Sequence, residues 1–311
     1  MKKIKTIMHM KQSMLLMAGL AMALASCQKD ETISQGPSNE SGSFSRSTAN
    51  TIRTALPVVF TKKVLAEEFA GSGYGDVPMS NSTLANISST FNGSVYVASF
   101  HNGDMLETGE AGKLKNILPG GMNASYPSAS INRNDLGGSR FVNYGDYSNM
   151  VNMCIQSNAT CGLAITSSVN GNTAQMQIMC GFNSTMTGNY TVNAYLVEDN
   201  IVDKNGMLAQ TNNFNNDKTT PFFMQGNPII GYTHNNVVRR VLTPFMGTPI
   251  SASVLVPGGT CRNTYIFDIP TTCDAANCHI IAFITKLNSN GVADNICNVQ
   301  KAKLGTVKGW N

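Results

Sequence analysis

The chain has 311 residues, of which 22 are basic, 18 are acidic and 13% are charged. The excess of basic residues lies at the very start, where Lys2, Lys3, Lys5 and Lys11 come with no acidic residue, so the remainder is close to neutral. A chain of this balance gives no indication of nucleic acid or of an anionic surface as a partner.

The N-terminus has the three parts of a signal peptide. The basic patch precedes an apolar stretch from Met14 to Ala25, which is shorter than the roughly 20 residues that a membrane-spanning helix needs. The tetrapeptide Leu24-Ala25-Ser26-Cys27 follows and resembles the bacterial lipobox. We therefore expect residues 1–26 to be cleaved and Cys27 to carry acyl chains that hold the protein to a membrane.

The next residues indicate where the protein is exported. Lys29, Asp30 and Glu31 follow the acylated cysteine, and this pattern resembles the signal that sends lipoproteins of Bacteroidetes to the outer face of the outer membrane. Residues 27–51 are rich in Ser, Gly, Asn, Gln and Glu and poor in apolar residues. Such a segment predicts a disordered tether, since it buries too little apolar surface to offset the entropy of ordering.

Residues 52–158 alternate between strand and helix patterns. A strand leads to Phe69, Pro78 begins a helix with apolar residues at helical spacing, and the apolar run Val95–Phe100 predicts a strand covered on both faces. Short helices are predicted over residues 112–117 and 147–154, with a further segment from Tyr126 to Arg133 between them. This order predicts an α/β domain with a parallel or mixed sheet.

Residues 159–311 have a different pattern. Short segments with β-branched and alternating apolar residues are separated by Gly, Asn and Asp turns, which predicts an all-β antiparallel sandwich. The predicted strands are residues 163–169, 174–179, 190–197, 251–256, 264–269 and 279–286.

Seven cysteines follow Cys27, and none lies between residues 28 and 153. An exported protein can form disulfides, and the near pairs Cys154/Cys161 and Cys273/Cys278 are the candidates for them. Because seven is odd, at least one thiol stays free or pairs between molecules. The spacings do not match a zinc site, so we expect one to three bridges and no metal.

Taken in order, these segments resemble a family of 28-kDa outer-membrane proteins of Bacteroidetes that join a thioredoxin-like domain to a β-sandwich. The resemblance rests on residues 63–71, on Tyr126-Pro127 with residues 131–133, and most specifically on residues 197–202 and 232–243. It implies a thioredoxin-like domain over residues 52–158 and a β-sandwich over residues 159–311. It also implies that Tyr126-Pro127 is a cis bond opposite the redox turn.

The sequence departs from that family where the redox chemistry would lie. Tyr74-Gly75-Asp76-Val77-Pro78 stands in the place of Cys-X-X-Cys-Pro, so both thiols are missing. Thiol–disulfide exchange requires a nucleophilic thiolate and a resolving thiol, and neither Tyr74 nor Val77 supplies one. We therefore expect a degenerate redox turn, formed by Tyr74, Val77, Pro78 and Pro127, with no catalysis and no cofactor.

Few other residues indicate chemistry. Glu67 and Glu68 are adjacent on a strand and should point to opposite faces, so they cannot act on one substrate atom. His101 and the nearby Asp104 follow a strand, where a loop histidine is the simpler interpretation and a site the alternative. His234 is expected to be structural.

These observations predict a non-enzymatic, surface-exposed lipoprotein of the outer membrane that binds a protein or a host surface, as an adhesin does. Two alternatives remain open. One is a protein derived from a thiol-disulfide oxidoreductase, which the missing thiols disfavour. The other is an accessory subunit of an outer-membrane complex, which the identity of its partners would distinguish.

Overall fold

The first half of the structure alternates strands and helices. The computed structural model describes residues 33–35, 55–203 and 205–310, with residues 33–35 described by their backbone only. The elements in chain order are β1 (Ile33–Gln35), β2 (Val64–Ala70), α1 (Val77–Thr90), β3 (Val95–His101), α2 (Ala111–Ile117), β4 (Ser128–Ile131) and α3 (Tyr147–Ile155).

The second half contains strands and short 3-10 turns. Its strands are β5 (Cys161–Asn170), β6 (Thr173–Phe182), β7 (Asn189–Glu198), β8 (Ile201–Val202), β9 (Thr233–His234), β10 (Val237–Val241), β11 (Thr248–Pro249), β12 (Thr260–Asp268), β13 (Cys278–Leu287), β14 (Ala293–Lys303) and β15 (Val307–Lys308). The protein is therefore mostly β, with mixed and antiparallel sheets.

One sheet joins the two halves of the chain. Its order is β14-β13-β7-β10-β3-β2-β4, with β2 parallel to β3, β3 parallel to β10, and the other neighbours antiparallel. The backbone N–H of Ser99 in β3 donates to the carbonyl of Asn236 at 2.8 Å, so the edge of β3 is covered by the second half. The boundary predicted between residues 158 and 159 therefore lies within one compact unit whose core and sheet are shared.

A second sheet packs against this one. It has the order β1-β12-β6-β5-β15 and is antiparallel except for the parallel pair β1 and β12. In β6, Ala174, Met176 and Ile178 are fully buried, as their alternation predicts. They share a core with apolar residues of β7 and β13 from the larger sheet.

Most predicted elements are found with small shifts of their ends, but one predicted strand is absent, and several observed strands, among them β10 and β14, were not predicted. Residues 251–256 contain a 3-10 turn at Ala252–Val254 in place of a strand, and in this segment only Leu255 is buried. The strand β14 was not predicted, because polar residues interrupt its apolar pattern. Two of these, Asn298 and Gln300, are fully buried and held by hydrogen bonds to other side chains and to the backbone.

Two further sequence expectations are settled by the backbone. The Tyr126–Pro127 peptide bond is cis, as expected. Among the described residues, no helix has the length and apolar character that crossing a membrane requires.

Candidate functional site

The turn between β2 and α1 is the position at which the sequence predicts a degenerate redox turn. The N–H of Tyr74 donates to the carbonyl of Gly71 at 3.2 Å, and the N–H of Val77 donates to the carbonyl of Tyr74 at 3.2 Å. Pro78 lies in the first turn of α1, where its missing N–H costs no helical hydrogen bond. Gly71 is required here, because a Cβ atom would collide with the backbone carbonyl of Asn102.

Tyr74 and Tyr126 bring the two parts of the predicted turn together. Their rings stack with a centroid separation of 4.7 Å, and the Tyr74 hydroxyl donates to Asn102 Oδ1 at 2.7 Å. The Tyr74 ring therefore lies beside the Tyr126–Pro127 peptide bond. Pro127 itself is buried. Partial burial raises the pKa of Tyr74, with a further contribution from Glu107, so its hydroxyl stays protonated at neutral pH.

A long loop between β8 and β9 covers this turn. We call its described residues 205–232 the closing loop. The N–H of Thr211 donates to the carbonyl of Ser72 at 2.8 Å, and the N–H of Asn213 donates to the carbonyl of Gly75 at 3.0 Å. The N-terminal end of α1, where a thioredoxin-type thiol would be presented to a substrate, is thus covered by backbone of the same chain.

Side chains of the closing loop strengthen the cover. The Gln210 amide nitrogen donates to the carbonyls of Ser72 and Tyr74 at 3.1 and 2.9 Å, and Gln210 is fully buried. The Asn213 amide donates to Asp76 Oδ1 at 2.8 Å. Gly75 leaves room for Asn213, since a Cβ on that glycine would overlap its side chain. Nothing in the periodicity of residues 205–232 predicts this contact.

A buried polar cluster supports the turn from behind. His101 Nδ1 lies 2.7 Å from Asp104 Oδ2, and the same oxygen accepts the N–H of Ser72 at 2.7 Å. Burial raises the pKa of Asp104, but hydrogen bonds from His101, Ser72 and Leu106 and the charge of His101 outweigh it and lower that pKa to about 2. The predicted strand-end pair is thus a buried structural contact.

His234 belongs to the same cluster. Its ring makes an edge contact with His101 at 5.2 Å, and its Nε2 lies 3.0 Å from the Leu208 carbonyl oxygen. Burial is the main cause that lowers the pKa of His234, so the imidazole is neutral at pH 7. With a neutral ring held between β9 and the closing loop, His234 has the structural role expected from the sequence.

The two adjacent glutamates face opposite sides of the sheet, as predicted. Glu67 is fully buried and accepts two hydrogen bonds from Arg133, at 2.7 and 2.6 Å, and one from the Tyr195 hydroxyl at 2.7 Å. Because Tyr195 lies in β7, this ion pair connects the α/β elements to the second half of the chain. The role of Arg133 was not identified from the sequence, which has no local signal for a partner 66 residues away.

Glu68 forms the floor of a cavity on the other side. It accepts hydrogen bonds from Ser80 Oγ at 2.6 Å and Ser99 Oγ at 2.8 Å. Burial raises its pKa, and these two hydrogen bonds oppose the shift in part. The cavity has a volume of about 550 Å³ and is also lined by Pro78 and Asn81 of α1 and by Phe222 and Tyr232 of the closing loop.

The cysteines that lie together in the structure differ in part from the predicted pairs. The Cys273 and Cys278 thiols lie together, as the sequence suggests. The neighbour that raises the pKa of the Cys161 thiol is Cys297, and Cys154 is not among the causes of that shift. Cys154 Sγ instead lies 3.9 Å from the Ile131 carbonyl oxygen. All seven cysteines carry free thiols in this structure, so no bridge is present among the described residues.

Within the described part of the chain, one group has the composition of a metal site. It consists of Glu198, Cys273 and Cys278, whose ligand atoms lie within 4.8 Å of one another. Both Glu198 oxygens are already engaged, by the Arg239 guanidinium at 2.9 Å and by the N–H of Asp274 at 2.7 Å. A cation would have to displace an arginine, so the donor set does not fit a metal well.

The remaining predicted site residues lie outside the described part of the chain. These are Cys27, the predicted acylation site, and Lys29, Asp30 and Glu31, the predicted export signal. The structure therefore adds nothing to the expectations about them.

Comparison with known proteins identifies relatives of this chain. The family model for the outer membrane protein Omp28 matches residues 122–308. The fold is similar to that of HBP35 of Porphyromonas gingivalis, with a TM-score of 0.61 and 14% identity over 80% of this chain and 77% of that one. It is also similar to protein AGR_C_4864 from Agrobacterium tumefaciens, with a TM-score of 0.50 and 13% identity over 79% of this chain and 96% of the other. A search of the curated proteins finds no significant match.

Proposed function

Since the chain belongs to the outer membrane protein Omp28 family, we propose that it is a non-enzymatic outer-membrane lipoprotein that binds a protein ligand at the cell surface. The observation that carries this proposal is the covered turn. The place where a thioredoxin-type enzyme presents its nucleophile has Tyr74 and Val77 in the two thiol positions and lies under the closing loop.

The topology supports a thioredoxin-like origin for residues 64–155. The strand β2, the helix α1 and the parallel strand β3 are followed by β4, which is antiparallel to β2 and begins directly after Pro127. A covered turn without thiols on such a scaffold favours a structural or binding role for these residues over a catalytic one. Fold alone does not supply a ligand, so the binding role rests on surface properties as well.

The closing loop offers a surface suited to binding. It exposes large apolar side chains, namely Met207 at 64%, Met224 at 77% and Ile230 at 66% exposure. The loop also bears Asp217 and Lys218, both exposed, so the apolar groups are interspersed with charge. Flexible methionines fit differently shaped apolar partners. The protein ligand is therefore proposed to contact this loop.

Isolation of partners from intact cells tests the binding role. Tagged full-length protein and a Met207→Ser/Met224→Ser/Ile230→Ser variant would be cross-linked to their partners on cells and purified. The control is a Met122→Ser/Met153→Ser variant secreted at the same level, which changes exposed methionines outside the closing loop. We expect the control to retain the partners and the loop variant to lose them. Equal capture by all three proteins would contradict binding through the loop, and a partner resident in the outer membrane would indicate the accessory-subunit alternative.

Metabolic labelling with a fatty-acid analogue tests the anchor. We expect the wild type to incorporate label and Cys27→Ser to incorporate none, because the thiol is the acylation point. Alanine at Lys29, Asp30 and Glu31 should retain the label and lose accessibility to protease on intact cells. Label on the Cys27→Ser variant would contradict lipidation at Cys27.

A further inference from the structure

The cysteines of the second half lie in three pairs, and the sequence spacing suggests one of these, Cys273 with Cys278, but not the other two. In the antiparallel pair of β6 and β12, Cys180 is directly opposite Cys261. Opposite residues of antiparallel strands have Cα atoms about 4.5–5.5 Å apart, which lies within the range that a disulfide spans. The nearby Cys261 thiol is also the main cause that raises the pKa of Cys180.

The second pair connects the two sheets. Between Ile284 and Thr285 the register of β13 with β14 shifts, and Cys297 is left without a cross-strand partner. This irregularity directs Cys297 to the core between the sheets, where its thiol meets that of Cys161 in β5. The neighbouring Asn298 amide donates to the Cys161 carbonyl at 2.8 Å and fixes the two strands side by side.

The third pair, Cys273 and Cys278, lies before and at the start of β13. A 3-10 turn at Ala275–Asn277, capped by Asp274, returns the chain so that the two sulfur atoms lie within 4.8 Å. Cys154 has no such neighbour among the pairs. Its thiol packs with apolar residues of β4 and α3, beside the Ile131 carbonyl.

We propose that the exported chain forms three disulfides, Cys161–Cys297, Cys180–Cys261 and Cys273–Cys278, and retains Cys154 as a buried thiol. This rests on the export to an oxidising compartment that is part of the proposed function. It replaces the Cys154–Cys161 pairing expected from spacing, because geometry across the sheets, and not separation along the chain, decides which thiols meet.

In each pair one cysteine is fully buried and the other is partly exposed, and we call the second the accessible member. Cys161, Cys180 and Cys278 are fully buried, whereas Cys297, Cys261 and Cys273 are partly exposed. The hydrogen bond from Cys161 lowers the pKa of Cys297, and that from Cys180 lowers the pKa of Cys261. The accessible member is therefore the better thiolate nucleophile in both of these pairs.

The chemistry balances with a protein disulfide as oxidant. The accessible thiolate attacks a sulfur of the oxidant's disulfide and forms a mixed disulfide, releasing the oxidant's other sulfur as a thiolate that takes up a proton. The buried partner then loses its proton, and its thiolate attacks the accessible cysteine's sulfur in the mixed disulfide. The oxidant's remaining sulfur leaves as a thiolate and takes up a proton. Each bridge thus transfers two electrons and two protons to the oxidant, which leaves as a dithiol.

Mass spectrometry of the unreduced protein tests the connectivity. Full-length protein from the cell envelope would be alkylated in denaturant and digested with pepsin at low pH, since no Lys or Arg separates Cys154, Cys161 and Cys180. We expect cross-linked peptides for the three pairs and alkylation of Cys154 alone. A Cys154–Cys161 peptide would overturn the proposal, and so would zinc that copurifies with unbridged Cys273 and Cys278.

Two cysteine variants test the pairing, and oxidation of the purified protein tests whether the pairing depends on export. Denatured Cys154→Ser should show no alkylated thiol, whereas Cys261→Ser should show two, Cys154 and Cys180. Oxidation of the purified mature protein in a glutathione buffer shows whether the three pairs form independently of export. If the bridges form there but not in cells, export to an oxidising compartment is wrong and the pairing stands; if they do not form there, the pairing itself is wrong.

Discussion

The turn at residues 71–78 and the cysteine-bearing strands of the second half differ in whether they contain thiols. The turn lies at the N-terminus of α1, a position that can lower the pKa of a thiol, but residues 71–78 contain no cysteine. The closing loop covers this turn. The second half holds six thiols, five of them on strands, and none of those five lies at the N-terminus of an α-helix. Position in the fold, and not the presence of cysteine, decides whether a thiol can be catalytic or structural.

The largest expected effect concerns the Glu67–Arg133 ion pair, which a hydrogen bond from the Tyr195 hydroxyl connects to the second half of the chain. Arg133→Leu leaves Glu67 buried without its partner, and we expect the free energy of unfolding to fall by about 3–5 kcal/mol. Urea unfolding followed by fluorescence of Trp310 and by hydrogen exchange of residues 64–155 measures it. Arg262→Leu, at an exposed position, is the control and should change stability by less than about 0.5 kcal/mol. Two separate transitions in the wild type would show that the halves are independent.

The second expected effect is the pH dependence of the cluster behind the turn. The pKa of Asp104 is lowered in the folded state, so its stabilisation is present above its unfolded pKa of about 4 and is lost as the pH falls towards 2. We expect Asp104→Asn to cost about 1 to 2 kcal/mol at pH 7 and to cost little near pH 2. Urea titrations of both proteins from pH 7 to pH 2 measure the difference. A constant difference across this range would contradict the assigned role of Asp104.

The smallest expected effect is the most direct test of the covered turn. Tyr74→Cys with Val77→Cys recreates the motif Cys-Gly-Asp-Cys-Pro, yet the closing loop should keep insulin reduction at the level of the buffer control. Adding Gln210→Ala and Asn213→Ala removes the side-chain contacts to the turn and should raise the rate. Full turnover with the loop contacts intact would show that the cover does not exclude substrate.

The sequence determined the elements whose signals are local. The helix at Pro78, the alternation in β6 and the absence of cysteine between residues 28 and 153 are read directly from the sequence, and the structure agrees with the first two. The opposite directions of Glu67 and Glu68 also follow from the two-residue period of a strand. The strand expected over residues 251–256 failed because apolar residues in a loop that packs on the core resemble a strand in composition.

Only the tertiary structure decided how distant segments meet. The pairing of β3 with β10, the cover of residues 71–78 by residues 205–232, the Glu67–Arg133 pair and the cysteine partners join residues that are far apart in the chain. Such contacts depend on sheet order and register, which local periodicity does not encode. The buried Glu67 carboxylate needs a partner that only the packed sheets bring to it, because burying it unpaired would cost several kcal/mol.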